Sequence, residues 1–176
     1  MKDGERLTMR DGFDDFVRGR STGLLRIAYL LTGDRHTAED LVQEVLEQMY
    51  VKWRRIHGAP EAYARRALVN RATNRWRSRG RRPEAPLGHH DVAEPDHSEH
   101  VVVRDAVVEA LRTLPPRQRA AVVLRYLDDL PIAEVARALD CSEGNVKSNA
   151  SRGLERLRAA LAPVAVTTTT TGRGQR

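Results

Sequence analysis

The 176-residue sequence has one cysteine, few aromatic side chains and no apolar run long enough to cross a membrane. A lone Cys141 excludes an internal disulfide and fits a reducing compartment. The first residues lack the apolar core of a secretory signal peptide. Aromatic residues make up 5% of the chain, which suits small helical domains packed with Leu, Val and Ala. We therefore expect a cytoplasmic protein without membrane insertion.

Signals of β-strands and of catalytic sites are also missing. The sequence contains no alternating strand pattern and no hairpin dipeptide between apolar runs, so we predict an all-α fold. It has no phosphate-binding loop and no nucleophile–base pair of recognisable spacing, which makes an enzyme the least supported class. His89, His90, His97 and His100 match no zinc-binding pattern, and we attribute them to linker composition. We expect no metal and no cofactor.

Positive charge is present, and it is clustered. The net charge is +6, and 27 of the 30 basic residues are arginine. Residues 61–82 carry +7, residues 83–111 carry −6 and residues 112–176 carry +5. A genome with a high G+C content explains arginine over lysine but does not explain the clustering. Two basic blocks separated by an acidic stretch indicate two nucleic-acid contacts with a non-binding connector.

The chain divides into two helical parts. We predict a first domain at 11–82, a flexible linker rich in proline at 83–103, a second domain at 104–162 and a disordered tail at 163–176. Gly33 is expected to end the first helix and Asp34 to cap the second. In the second helix, apolar side chains including Tyr50 follow helical spacing on one side. Its other side carries mainly acids and amides.

The segment after residue 131 has the pattern of a helix-turn-helix. A short helix at 132–139 precedes Asp140, Cys141 and Ser142, and Ser142 is a favourable N-cap for the long helix that follows. Cys141 is interpreted as a small apolar residue of the turn, with a redox sensor as the alternative. Helical spacing places four residues on the inner side of this long helix: Val146, Ala150, Gly153 and Leu157. Lys147 lies at the flank. Four polar residues face outward: Asn145, Ser148, Asn149 and Arg152. Such a face suits base edges and phosphates, although a solvated face without DNA has the same composition.

The stretch "ARRALVNRATNRWRSRGRR" at 64–82 holds eight arginines and no acid. On a helix, one face presents Arg66, Asn70, Thr73 and Arg77, with Asn74 beside them. Trp76 falls on the opposite, apolar side. We expect it to pack against the second helix, and a stacking platform for an unpaired base is the alternative.

Taken together, three motifs resemble those of the extracytoplasmic-function (ECF) sigma factors, and the actinobacterial SigE-like group most closely. They are "DLVQEV" at 40–45, "LPPRQR" at 114–119 and "SEGNVKS" at 142–148. The resemblance covers about 11–161 and matches the two domains to sigma regions 2 and 4. Asn74, Asp140 and Ala150 depart from residues frequent in the family, and Asp140 is expected to adopt a positive φ.

The resemblance implies roles for specific residues. Region 2 would dock on the β′ clamp helices of core RNA polymerase through Asp40, Gln43, Glu44 and Glu47. It would engage the -10 element, where the duplex opens, through Arg66, Asn70, Arg71, Asn74 and Arg77. Region 4 would bind the β flap and read the -35 element with Asn145, Lys147, Ser148, Asn149 and Arg152. Many family members are held inactive by an anti-sigma factor, which the sequence does not identify.

A helix-turn-helix repressor or activator that binds duplex DNA without polymerase is the competing function. It accounts for residues 104–161. It gives no role to "DLVQEV" or to the first domain.

Overall fold

The computed structural model describes residues 2–56, 58–80 and 99–170, with side chains for 12–56, 58–76 and 105–162. Every regular element within these ranges is helical, which confirms the predicted all-α class. The α-helices are α1 (Lys2–Thr32), α2 (Arg35–Lys52), α3 (Pro60–Gly80), α4 (Glu99–Arg112), α5 (Pro116–Val122), α6 (Ile132–Leu139) and α7 (Glu143–Thr170). A short 3₁₀ turn (Trp53–Arg55) follows α2, and a π-helical turn (Val123–Leu127) follows α5.

The helix ends follow the predicted turn chemistry. Gly33 adopts a φ of 72° and ends α1. Asp34 caps α2, because its carboxylate accepts the backbone N–H of Thr37 at 2.7 Å. Asp140 ends α6 in the left-handed conformation with a φ of 51°, as expected. The Ser142 hydroxyl accepts the backbone N–H of Asn145 at 3.2 Å and thereby caps α7.

The first three helices form a bundle around a buried seam of apolar side chains. The seam includes Leu24, Ile27, Leu31, Leu41, Val45, Met49, Ala64 and Leu68. At one end, the ring of Phe13 meets the rings of Tyr50 and Trp53 edge-on, each at 5.2 Å between centroids. The seam fixes which faces of α2 and α3 point outward.

The later helices pack around α7. Val146 and Ala150 are buried in the helix-turn-helix, as predicted, and Val135 is buried beside them. Gly153 is buried where α7 crosses α5, since a Cβ there would lie 2.6 Å from Val122 Cγ2 and 3.2 Å from the carbonyl oxygen of Gln118. This close crossing therefore requires glycine at position 153.

The two domains are in contact and share one continuous hydrophobic cluster. Helices α1 and α3 lie against α4, α5 and α6. The proline-rich part of the expected linker lies outside the described residues, and its last residues, 99–103, belong to α4. Helix α7 also continues to Thr170, past the expected boundary at residue 162, because extending an existing helix needs no new nucleus.

No helix in the described part of the chain is both long enough and apolar enough to cross a membrane.

Candidate DNA-binding and docking surfaces

Helix α7 presents an open polar face. Val146 and Ala150 turn inward, which leaves Asn145, Lys147, Ser148 and Arg152 exposed and Asn149 half-buried. Among the described side chains, no carboxylate forms an ion pair with Lys147 or Arg152. The face therefore offers amide, hydroxyl and cationic groups that are ready to meet a base edge or a phosphate.

Helix α3 presents a second polar face, as its spacing predicted. Ala64, Leu68 and Ala72 are buried on the bundle side. Arg66, Asn70 and Asn74 are exposed, and Thr73 is half-buried. The backbone of Arg77 belongs to α3, and its side chain lies outside the described ones. The two asparagines are thus placed side by side on the solvent side of a rigid helix.

Arg71 points away from that face and joins α3 to α2. Its guanidinium donates to Glu44 Oε2 at 2.8 Å and to Gln48 Oε1 at 2.9 Å. Arg75 also pairs with Glu44. The sequence placed Arg71 with the DNA-contacting residues and Glu44 with the docking residues, but the structure brings these two side chains together. Single-helix spacing cannot show such a pairing, because it depends on how α2 and α3 cross.

The remaining docking candidates lie on the outer side of α2. Asp40, Gln43 and Glu47 are exposed, and Gln43 donates to Glu47 at 3.0 Å. Glu44 is set apart from them by its two arginine partners.

An apolar groove runs beside these polar residues, between α1 and α2. It has a volume of about 840 Å³, and its floor and walls include Phe13, Val17, Leu25, Leu46, Tyr50 and Val51. Val51 is 83% exposed and Tyr50 is 47% exposed, although Tyr50 follows the apolar spacing on one side of α2. The missed signal was the width of the apolar stripe on α2, which exceeds what packing in one bundle requires.

Comparison with known proteins identifies the family of this chain. A model of sigma-70 region 2 matches residues 16–82, and a model of sigma-70 region 4 matches residues 104–157. The RNA polymerase sigma-E factor of Streptomyces coelicolor is 37% identical over 158 residues, covering 85% of this chain and 85% of that protein. The chain belongs to the ECF sigma factors, in the SigE-like group.

One further relative agrees with this assignment, and one solved structure agrees with the fold. The ECF RNA polymerase sigma factor SigE of Mycolicibacterium smegmatis is 34% identical over 158 residues, covering 85% of this chain and 62% of that protein. Among solved structures, the sigma factor RpoE of Bartonella quintana, crystallised with the anti-sigma factor NepR, matches with a TM-score of 0.68. It is 23% identical, the match covers 86% of this chain and 97% of that one, and it supports the fold.

In this sigma factor, a buried arginine of region 4 reaches into region 2. Arg119 donates to the carbonyl oxygens of Leu31 at 2.7 Å, Arg112 at 2.8 Å and Leu114 at 3.3 Å. Leu31 lies in the last turn of α1 and Arg112 ends α4, so the cation sits where two helix dipoles are negative. Burial, helped by the charge of Arg112, lowers the pKa of Arg119 to about 10. It therefore stays charged at neutral pH.

Trp76 completes that contact. Its ring lies 5.0 Å from Cζ of Arg119 and remains 41% exposed. Trp76 was expected to be a packed residue against α2, but it is partly exposed, and the partner that the structure shows for its ring is Arg119 of region 4. A guanidinium over an indole face is a favourable cation–π arrangement.

Asp128 makes the second contact between the regions. Its carboxylate pairs with Arg65 at 2.7 Å and with Arg26 at 3.7 Å. Farther along α3, Arg66 lies 3.4 Å from Asp140 in the helix-turn-helix turn. The -10 candidate Arg66 therefore faces region 4 in this conformation.

Cys141 is a partly buried free thiol. No group of His, Cys, Asp and Glu with metal-binding arrangement occurs among the described residues, and the side chains of His89, His90, His97 and His100 lie outside them.

Proposed function

We propose that this sigma factor binds core RNA polymerase, directs it to promoters through their -10 and -35 elements, and helps to open the DNA. The observation that carries the proposal is the presence of regions 2 and 4 on one chain, each with a polar helix exposed to solvent. A repressor would need only region 4. The match over residues 16–82 therefore speaks against that alternative.

Region 4 reads the -35 element through α7. A helix that follows the turn of a helix-turn-helix enters the major groove with its N-terminal residues at the base edges. Asn145, Ser148 and Asn149 supply hydrogen bonds to bases. Lys147 and Arg152 reach phosphates or guanine, the base with two acceptors in the major groove.

Region 2 engages the -10 element through α3. Asn70 and Asn74 inspect bases that leave the stack, because an amide can both donate to and accept from the edge of an unpaired base. Arg66 and Arg77 hold the strand by its phosphates. Arg71 holds α3 to α2, and it contributes to DNA binding only when Glu44 releases it.

Core polymerase docks on the outer side of α2. Asp40, Gln43 and Glu47 face a basic surface of the β′ clamp helices, while the neighbouring apolar groove supplies the buried area. Charge complementarity of this kind mainly sets orientation and the rate of association. Region 4 contacts the β flap, which would hold α7 at a fixed distance from region 2.

The protein works in the cytoplasm, where polymerase acts, and it performs no chemistry of its own. An anti-sigma factor of unidentified sequence is a further partner in the proposal. The similar fold from Bartonella quintana was crystallised with such a partner, which motivates this part.

Reconstituted transcription tests the proposal. Purified protein is added to core polymerase with a pool of promoter templates from a genome that encodes it, and transcripts are mapped. The proposal expects promoter-dependent transcripts that require the added protein. Tight duplex binding by the protein alone, with no transcript from any template, would support the repressor instead.

A further inference from the structure

The apolar groove of region 2 is open to solvent. It is lined by side chains of α1 and α2 alone, while the described part of region 4 packs against α1 and α3. Val51 lies at one end of the groove and is almost fully exposed, and Phe13 holds the neighbouring Tyr50 ring edge-on at 5.2 Å. Exposed apolar surfaces of this kind on a small protein mark interaction sites. A helix of another chain is the element that fits a groove between two helices.

The charge along α2 reverses from one end to the other. Carboxylates occupy the middle of the helix, and exposed cations follow at its end and in the 3₁₀ turn. The carboxylates are those of Glu39, Asp40, Glu44 and Glu47, and the cations are Lys52, Arg54 and Arg55. A copy of the same surface is therefore attracted in the antiparallel direction and repelled in the parallel one, because only the former sets acids against cations.

The spacing along α2 matches an antiparallel copy. The groove is lined along this helix by Glu39, Gln43, Leu46 and Tyr50, which recur at intervals of four, three and four residues. Relative to a two-fold axis at Leu46, Glu39 lies seven residues before and Arg54 eight residues after, or about 11 Å and about 12 Å at about 1.5 Å per residue. The axis thus sets Glu39 of one copy against Arg54 of the other. Gln43 and Tyr50, three residues before and four after, meet in the same way.

We propose that this protein associates with a second copy of itself through the groove, with the two α2 helices antiparallel and Val51 of each copy against the apolar floor of the other. Two-fold pairs are the commonest oligomers of soluble proteins, because one surface then serves both partners. Two crossing helices bury less than the about 1,600 Å² of a standard interface, so the dissociation constant is on the order of 10 μM. Monomer and dimer therefore interconvert as the protein concentration changes.

The same side of α2 is the proposed docking surface for polymerase. A second copy and polymerase therefore exclude each other there, and this consequence, unlike the dimer itself, rests on the proposed function. Because dimerisation removes the monomer that is competent to bind, it lowers the apparent affinity for polymerase by the monomeric fraction.

Sedimentation velocity of the full-length protein, without polymerase, tests the dimer. Between about 1 μM and about 300 μM, a range that brackets the expected constant, wild type should change from monomer to dimer. Val51→Asp should stay monomeric, weakened at least about 100-fold, because pairing would bury its carboxylate without a partner. Ala159→Asp puts the same charge on an exposed position of α7 and should match wild type. A wild type that is monomeric throughout, or a Val51→Asp variant that dimerises as well as wild type, would overturn the proposal.

Charge reversal tests the antiparallel register. Glu39→Lys alone and Arg54→Glu alone should each weaken the dimer about ten-fold, because an attraction that occurs twice by symmetry becomes a repulsion. Glu155→Lys on α7 controls for the added charge and should match wild type.

The double variant Glu39→Lys with Arg54→Glu should restore the dimer, since each copy supplies both members of the pair. Within one chain the two positions lie about 22 Å apart along the helix, so they cannot pair internally. An effect caused only by losing the internal pair of Glu39 with Arg35, at 2.9 Å, would persist in the double variant. A double variant no stronger than the single ones would overturn the antiparallel dimer.

Added core polymerase separates this proposal from the proposed function. A dimer that polymerase converts to complexes with one copy each supports both. A dimer that persists while polymerase fails to bind contradicts only the proposed function, and a monomer at every concentration that binds polymerase overturns only the dimer. If Val51→Asp loses its helical circular dichroism signal, the charge-reversal variants decide.

Discussion

The two helices that we propose read DNA, α3 and α7, hold their polar side chains in different settings. On α7, Lys147 and Arg152 stand clear of the described acids. On α3, the arginines whose side chains the structure describes are already paired: Arg65 with Glu61 and Asp128, Arg66 with Asp140, and both Arg71 and Arg75 with Glu44. DNA can therefore meet α7 directly, whereas at α3 its phosphates must compete with carboxylates of the same chain.

Under the proposed function, this difference would place the control of DNA binding in region 2. An exposed ion pair is worth little, and a phosphate can replace its carboxylate at small cost. Several pairs on one helix, each in place before DNA arrives, together favour a state in which α3 does not grip DNA. The following variants test that contrast, in order of expected effect.

Arg119→Ala should have the largest effect, because it removes the contact that joins region 4 to the end of α1. It leaves three carbonyl oxygens without their donor and a cavity beside Trp76, so the free energy of unfolding should fall by about 3–5 kcal/mol. Thermal denaturation measures this. Arg117→Ala, an exposed neighbour on α5, is the control, and an equal loss in both variants would contradict the role of Arg119.

Arg152→Ala should change -35 discrimination. Loss of a base-edge contact costs about 1–3 kcal/mol at the base concerned and little elsewhere. Transcription from templates with each -35 base substituted in turn measures this. Arg158→Ala, on another face of α7, should leave the base preferences unchanged. An equal loss of transcription on every template would show that Arg152 contacts only a phosphate.

Asn74→Ala should weaken selection at the -10 element by about 1–2 kcal/mol, the worth of hydrogen bonds to one unpaired base. Asn70→Ala should act on the same element. Duplex templates and templates already unpaired at -10 are compared with core polymerase present. Unaltered base preference on both template types would show that these asparagines do not contact the -10 bases.

Glu44→Gln should have the smallest effect. The direction of that effect shows whether Glu44 holds Arg71 and Arg75 or binds polymerase. Releasing Arg71 and Arg75 should strengthen non-specific duplex binding and steepen its salt dependence by about 0.9 in the log–log slope for each phosphate gained. Glu47→Gln should leave DNA binding unchanged and weaken polymerase binding slightly. If Glu44→Gln instead weakens polymerase binding as Glu47→Gln does, Glu44 belongs to the docking surface.

The individual helices were predictable because their determinants are local. Gly33, Asp34, Asp140 and Ser142 set helix ends through backbone chemistry within a few residues, and helical spacing alone located the open face of α7. The pairing of Glu44 with Arg71, the place of Trp76 and the insertion of Arg119 at the end of α1 were not predictable in this way. Each depends on how separate helices cross, and side-chain spacing along one helix carries no information about that.

The proposed docking surface was half predictable for the same reason. Its acids and amides stood out as the polar side of α2. Its apolar part could not be told from the core, because Tyr50 and its neighbours follow the same spacing as buried residues. Only the packed bundle shows that α1 and α2 leave these side chains uncovered.

The central claim is that α3 and α7 each read one promoter element. The most direct test is a map of transcript 5′ ends after overexpression of this sigma factor. We predict start sites that share two upstream sequence blocks. Arg152→Ala should alter the preferred bases only in the distal block, and Asn74→Ala only in the proximal one. New start sites without a shared pair of blocks, or one block altered by both variants, would contradict it.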